Sequence, residues 1–386
     1  MLSDYSLLAP GPVNLHPEVR RILSLPMIHH RTPEFDQILK SVLTDLPFIF
    51  QTKQKVYLHT STGSGGMESL LINVLNSGDK VLAIDSGKFG ERWAEMAQVY
   101  GARVTVLKVP WGKAVAPSEV EAHLSQHPDT ALVLCQACET STGVVHPIAE
   151  LGDIIRKYPE TLFLVDGITA LGALPLPMDE WHIDGLVAGS QKAFMLPTGL
   201  SFICFSEKAW KKIPQVKTPR YYFDITREKK ANDKGETFFS SNVSLTRALD
   251  WFLQDLKNKG LAKHFAEIHR RAEMVRLFSQ KLGFTLYAEA PSDSVTALRV
   301  PDHLDGQQIR QHLEDHFHIT IMGGQDQAKG KIIRIGHMGY IQDSELLRLI
   351  RSLGLTLQTM DPAFLSREQV ESVTHDAQLW LERHPL

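Results

Sequence analysis

Four segments carry residues whose chemistry would work together. Lys192 stands in LVAGSQKAFMLPTG, directly after an apolar strand-like run, with Ala193, Phe194, Met195 and Leu196 behind it. A lysine after a strand is usually a solvated turn residue, but these flanks are a poor place for an idle ammonium. A desolvated lysine has a lowered pKa and attacks an aldehyde carbon. Asp166 ends the run LFLVD, at the strand end where parallel sheets bind ligands. Alone it would read as a strand-end cap. The turn Thr62-Gly63-Ser64-Gly65-Gly66 separates the run KVYLHT from a helical stretch beginning at Met67. Its backbone N–H groups and the helix N-terminus suit a phosphate, and Ser64 adds a hydroxyl. Arg334 interrupts the apolar residues Ile332, Ile333 and Ile335. On a strand it either faces water or presents a planar fork that clamps a carboxylate.

A nucleophilic amine, a phosphate cradle, a strand-end carboxylate and a carboxylate clamp are together the parts of a pyridoxal-phosphate site. There an aspartate pairs with the pyridine nitrogen and keeps it protonated, so that the ring accepts electrons. The rival reading of the glycine turn is a dinucleotide fingerprint, with Asp85 about 20 residues on. Glu68 occupies the third glycine position of that fingerprint, where a bulky acid obstructs helix–strand packing and repels a pyrophosphate.

The elements that must position these residues follow from the pattern. Short runs rich in Val, Ile, Leu and Phe recur: KVYLHT, KVLAID, RVTVLKV, ALVLCQA, LFLVD, GLVAG and LSFICFS. Most are apolar throughout, as strands buried on both faces are. Helical stretches alternate with them, which argues for a mainly parallel sheet between helices. Before them, residues 1–50 read as a proline-rich irregular arm and then a helix. Residues 211–237 read as a long polar connection, and 244–282 as one long helix. Strands at FTLYAE, SVTALRV, HITIMG and KIIRIG, with helices near 305–316, 342–354 and 363–383, form an α+β unit. The expected organisation is an arm at 1–20, a large domain at 21–250 and a small domain at 251–386 with an extra terminal helix.

Composition narrows the class. Net charge is -3 with 22% charged residues, so neither nucleic acid nor an anionic membrane surface is an expected partner. No apolar run is long enough to span a bilayer, and the N-terminus lacks the features of a signal peptide. The three cysteines, Cys135, Cys138 and Cys204, lie in strand-like runs and read as reduced packing residues of a cytoplasmic protein. The C-x-x-C spacing of Cys135 and Cys138 therefore reads as packing rather than redox chemistry.

The ordered segments LAPGPVNLHPEV, HHRTPEF, TGSGGMESLLINVLNSGD, ETSTGVVHP, LFLVDGITALGALPLPMDEWHID, GSQKAFMLPTGL, IMGG and KIIRIGHMG cover nearly the whole chain. In this order the sequence resembles the class V aminotransferases of the fold-type I pyridoxal 5'-phosphate (PLP) enzymes. The nearest branch is the alanine–glyoxylate, serine–glyoxylate and serine–pyruvate aminotransferases. The resemblance implies a seven-stranded, mainly parallel sheet sandwiched by helices, with a smaller α+β C-terminal domain. It implies that Lys192 forms the Schiff base and shuttles the substrate α-proton, that Asp166 pairs with the pyridine nitrogen, and that Ser64, Gly65, Gly66 and Gln191 serve the phosphate. Phe89 would stack on the ring, where relatives often have Trp. Thr140 would meet the ring oxygen, and Arg334 the substrate carboxylate. It also implies a homodimer with shared sites, in which Thr237 and Ser240 reach the partner's phosphate. Gly66 stands where some members have His, and the segment after Thr237 lacks their Thr-Pro pair.

The expected reaction moves an amino group from a small amino acid, of the alanine or serine type, to a glyoxylate- or pyruvate-type 2-oxo acid. Its kinetics would be ping-pong. Arg31 and Arg220 are the candidates for a side-chain carboxylate, with a surface role expected for both. A PLP lyase or desulfurase would use the same lysine, but no cysteine lies on a loop suited to a desulfurase nucleophile. His337 reads as a packed or solvated residue. An NAD-dependent dehydrogenase and a non-catalytic scaffold are the alternatives from other classes.

Overall fold

The computed structural model describes residues 5–385; residues 1–4 of the expected arm and Leu386 lie outside the described residues. All seven strand-like runs form strands. They are β1 (Val56–His59), β2 (Lys80–Asp85), β3 (Arg103–Lys108), β4 (Leu132–Gln136), β5 (Leu162–Asp166), β6 (Gly185–Gly189) and β7 (Ser201–Phe205). They join one sheet in the order β1-β7-β6-β5-β4-β2-β3. β2 through β6 run parallel where they pair, and β7 is antiparallel to both its neighbours. This is the expected mainly parallel seven-stranded sheet.

Alternate side chains of each strand enter opposite layers. Val133, Cys135, Phe163 and Val165 join a core shared with helices Pro33–Phe50 and α3 (Val243–Lys259). Leu132, Leu134, Leu162 and Leu164 join a core on the other face with α1 (Gly63–Ile72) and α2 (Lys88–Val99). The central strands are apolar throughout because both faces are covered. RVTVLKV was expected to be buried in the same way, and it is not. β3 is one of the two edge strands, and Arg103, Thr105 and Lys108 are exposed. Charged residues on an edge also discourage pairing with another chain.

A second, antiparallel sheet follows in the order β8 (Thr285–Leu286), β9 (Val295–Arg299), β11 (Ile332–Gly336), β10 (Met322–Gly323). It packs with α4 (Leu261–Lys281), α5 (Asp343–Met360) and the terminal helix α6 (Arg367–Arg383) around a separate core. Leu8 of the arm enters that core, Ser6–Leu7 pairs in parallel with Ile319–Thr320, and the Gly336 amide donates to the Leu8 carbonyl at 2.8 Å.

Four further expectations need correction. The helix read over 244–282 is two helices, because Gly260 adopts φ 82° and breaks it. Residues 211–237 contain the helix Ile225–Asn232, whose N-terminus Asp224 caps through its side chain. Pro17 and Pro33 begin helices, Pro17–Leu23 and Pro33–Phe50, since proline's fixed φ and missing N–H suit the first turn. HITIMG is split at Ile321, one half pairing with the arm and the other with β11. Among the described residues, no helix is long and apolar enough to cross a membrane.

Candidate active site

The site lies at the carboxyl ends of β4, β5 and β6, facing the second sheet. Lys192 follows β6 in a loop pinned by Ser190. The Ser190 hydroxyl donates to the Pro197 carbonyl at 2.7 Å and accepts the Leu200 amide at 3.1 Å. The Met195 amide closes on the Lys192 carbonyl at 3.0 Å. Lys192 is only 8% exposed, and its Nζ donates to the Pro10 carbonyl of the arm at 2.6 Å. Gly11 allows this approach, because a Cβ there would stand 2.5 Å from Nζ. Burial pushes the Lys192 ammonium down to about 8, with Arg334 adding in the same direction, against Cys138 and Asp166.

Asp166, the last residue of β5, is 5% exposed. One carboxylate oxygen accepts the Ile168 amide at 2.8 Å. The other has no hydrogen-bond partner among the described residues. Burial pushes this carboxyl up to about 6, and nearby Glu139 adds to the shift.

The glycine turn is the N-terminus of α1, capped by Thr62. The Thr62 hydroxyl accepts the Gly65 amide at 3.3 Å, and its carbonyl accepts the Gly66 amide at 3.0 Å. Those two amides are therefore engaged at the helix start. The amides of Gly63 and Ser64 have no partner among the described residues and face outward from the helix end. Gly66 packs against the sheet, where a Cβ would meet Ser201 at 2.7 Å and Val187 at 2.8 Å. Arg92 donates to the Ser64 hydroxyl at 3.0 Å and lies 5.0 Å from the Phe89 ring centre, which adds positive charge beside the turn. A Cβ on Gly189 would meet the Gln191 side-chain amide oxygen at 2.9 Å and the Gly63 Cα at 3.5 Å, so Gln191 and the turn both lie close to Gly189. That Gln191 oxygen is buried and has no partner.

Arg334 spans from β11 to the large layer. It is 6% exposed; its Nε donates to the Gly323 carbonyl at 3.0 Å and one terminal nitrogen to the Thr140 carbonyl at 2.9 Å. Its other terminal nitrogen has no partner among the described residues. Burial lowers the Arg334 pKa to about 10, so the guanidinium stays charged at neutral pH. The Thr140 hydroxyl donates to Thr169 at 2.7 Å.

Sequence reasoning missed Glu139. Its buried carboxylate accepts the amides of Phe89, Gly90 and Ser141 and the side-chain amide of Gln136, each at 3.1 Å. It replaces the cap that Gly87 cannot supply to α2, and so fixes Phe89 and Arg92. Burial raises its pKa, and the Ser141 hydrogen bonds pull it back down. Pro10, Arg92 and Thr169 were missed as well. For Arg92, the helical i, i+3 spacing from Phe89 was the available signal.

Other candidates lie elsewhere. Thr237 bonds to Phe239 and Ser241, at 2.7 and 2.6 Å, and Ser240 is exposed; both line a small pocket with His59 and Tyr222, away from Lys192. Arg31 is bonded to Glu236 and the Thr237 carbonyl. Arg220 was expected at the surface; instead it is largely buried and ties together the carbonyls of Ile213, Val216 and Thr218. His337 is fully buried and bonded to Thr296 at 2.8 Å, as a packed residue. Asp85 is neutralised by Lys108 at 2.5 Å. All three cysteines are buried, and burial raises each thiol above its ordinary pKa. None is the thiolate nucleophile that a desulfurase needs.

This sheet and site have the architecture of the fold-type I PLP transferases. Residues 18–349 match the family model for aminotransferase class-V. The chain is 35% identical over 393 residues to the L-aspartate–glyoxylate aminotransferase of Paracoccus denitrificans (strain Pd 1222), covering 98% of this chain and 99% of that one. It is 34% identical over 356 residues to the small subunit of a soluble hydrogenase from Synechococcus sp. (strain PCC 6716), covering 91% and 92%. The crystal structure of an alanine–glyoxylate aminotransferase from Nostoc sp. matches with a TM-score of 0.89 at 28% identity, covering 92% of this chain and 96% of that one. The chain belongs to the class V aminotransferase family, whose activity is PLP-dependent transamination. The resemblance read from the sequence is borne out.

Proposed function

We propose that this chain transfers an amino group from a small amino acid to glyoxylate or a similar small 2-oxo acid by a ping-pong reaction, with PLP carried on Lys192. The observation that carries this reading is the convergence of buried Lys192, the unpartnered oxygen of Asp166 and the unpartnered nitrogen of Arg334. The residues fit the cofactor: an amine of lowered pKa, a carboxyl for a ring nitrogen, and free amides at Gly63 and Ser64 with Arg92 for a phosphate. Phe89 and Thr140 stand beside them, with Gly65 and Gly66 shaping the turn. Bound there, PLP supplies an aldehyde carbon and an electron-accepting ring.

The chain's own groups divide the remaining work. Lys192 takes the proton from the substrate α-carbon and returns one during the amino transfer. Asp166 holds a proton at the ring nitrogen. Arg334 fixes the substrate carboxylate. Two copies of the chain share their sites, Thr237 and Ser240 serving the partner's phosphate; the exposure of Ser240 supports this.

Glyoxylate occurs in the names of both the Paracoccus and the Nostoc proteins, which supports it as acceptor. The Paracoccus name has aspartate as donor. Here Arg31 and Arg220 are engaged within the chain, which supports a donor without a side-chain carboxylate. The test is a donor-by-acceptor screen on the holoenzyme, with alanine, serine and aspartate against glyoxylate and pyruvate. Parallel double-reciprocal lines for alanine or serine with glyoxylate are expected. Turnover with aspartate alone would overturn the donor class, and normal turnover in Lys192→Ala would overturn the lysine's role.

A further inference from the structure

A cavity of about 580 Å³ opens between the two sheets and has none of Lys192, Asp166 or Arg334 among its walls. On one side are Asp85 and Lys108, the last residues of β2 and β3, with the segment 109–111 that follows. Open parallel sheets bind ligands at these carboxyl ends. On the other side are Tyr287, Arg299 and Lys331. Arg299 ends β9 and shares a face of it with Ala297, two residues earlier. Ala297 lies opposite Arg334 in the ladder with β11, and Arg299 lies opposite Ile332. The Trp111 and Tyr287 rings pack against the cluster of Ala297 and Ile332. The inner face of the second sheet therefore presents two arginines to the large layer, Arg334 at the catalytic site and Arg299 at this cavity.

The charges on the walls do not balance. Asp85 is the one carboxylate among them; its side chain is 6% exposed and bound to Lys108 at 2.5 Å. The Arg299 guanidinium lies 5.1 Å from the Tyr287 ring centre, and its side chain has no hydrogen bond or ion pair among the described residues. The Lys331 ammonium has none either. The acids of the adjoining loops are committed, Glu289 to Lys113 and Asp326 to Lys88. Two uncompensated cations thus line one cavity in a chain whose net charge is -3. With no free carboxylate on the walls, an anion of two charges restores neutrality. A guanidinium fork and an ammonium both bind such a group through its oxygens.

We propose that this cavity is a second, non-catalytic binding site for a small organic dianion, a phosphate monoester or a dicarboxylate, held by Arg299 and Lys331. The assignment stands whether or not the transaminase reading holds, because its test reads binding and not turnover. Methyl phosphate is titrated calorimetrically into Arg334→Ala holoenzyme, which lacks the catalytic carboxylate clamp and has its cofactor phosphate site filled. At about pH 8, above the second pKa of a phosphate ester at ~6, the probe is a dianion. One saturable site per chain is expected. Adding Arg299→Gln or Lys331→Gln should weaken it about tenfold or more in each case, as loss of one charged hydrogen bond predicts. Both residues are exposed, and thermal melting of each variant separates a folding defect from a lost contact. Dimethyl phosphate, of similar shape with one charge, should bind about tenfold more weakly. Succinate separates the two sources of the dianion: tighter binding than methyl phosphate assigns the site to dicarboxylates, and weaker binding assigns it to phosphate esters. No saturable binding of either dianion, or affinity unchanged in both variants, would overturn the proposal; equal binding of dimethyl phosphate would overturn the choice of a dianion.

Discussion

Lys192 owes its reactivity to where the chain puts it. Its neutral fraction rises as pH passes about 8, whereas an ordinary lysine needs a pH near about 10.4. Cofactor-free protein should therefore react with an aldehyde reagent at Lys192 with a rate that climbs with pH and is half-maximal near 8. Peptide mapping after borohydride trapping measures this, and a midpoint near that of free lysine would refute the burial argument. Arg334 has one free terminal nitrogen on a guanidinium fixed by two carbonyls, and in the proposed site that nitrogen meets the substrate carboxylate. Arg334→Ala should raise KM for both the amino acid and the 2-oxo acid, by an amount on the order of 2–4 kcal/mol, with a smaller effect on kcat. A change confined to kcat would place the carboxylate elsewhere.

At the scale of elements, the site depends on how α1 and α2 meet the sheet. Gly66 lets α1 lie close on β6 and β7. Gly66→Ala would drive a methyl into Val187 and Ser201 and should cost about 1–3 kcal/mol in urea unfolding. An unchanged midpoint would mean that the helix shifts freely. Glu139 holds the start of α2 by accepting two of its amides, those of Phe89 and Gly90, and it fixes its own turn through the Ser141 amide. Glu139→Ala leaves those buried donors unpaired, at about 1–3 kcal/mol each before relaxation. The expected outcome is lower thermal stability together with weakened cofactor retention, because Phe89 and Arg92 ride on that turn. Loss of stability with full cofactor affinity would confine Glu139 to a structural role.

In the whole molecule the large sheet, with a core on each face, and the second sheet, with a core of its own, meet at the site. The arm crosses between them, placing Leu8 in the second core and the Pro10 carbonyl on Lys192. Arg334 makes the return crossing to Thr140. The terminal helix α6 is part of the second core through Val370, Ala377 and Leu381, and Arg270 binds the Leu381 carbonyl while pairing with Asp343. Deleting residues 363–386 should cost several kcal/mol, since full burial of one such aliphatic side chain contributes about 1.5–3 kcal/mol. A truncated chain that melts at the full-length temperature would show the helix to be dispensable.

Local chemistry made much of this protein legible in its sequence. Seven apolar runs announced seven strands, because a strand covered on both faces must be apolar throughout. Lys192, Asp166 and Arg334 stood out because each breaks an apolar context that would otherwise reject it. Spacing and flanks are local properties, and a sequence displays them. What depends on neighbours distant in the chain was decided only by the tertiary structure. RVTVLKV already carries Arg103, Thr105 and Lys108, but only the tertiary structure shows that it lies at an edge of the sheet with these three residues exposed. Glu139 looks like a turn residue until α2, fifty residues earlier, arrives to be capped. The left-handed turn at Gly260 and the carbonyl of Pro10 gain their roles in the same way. The backbone supplies the same groups at nearly every residue, and only packing decides which of them meets a lysine.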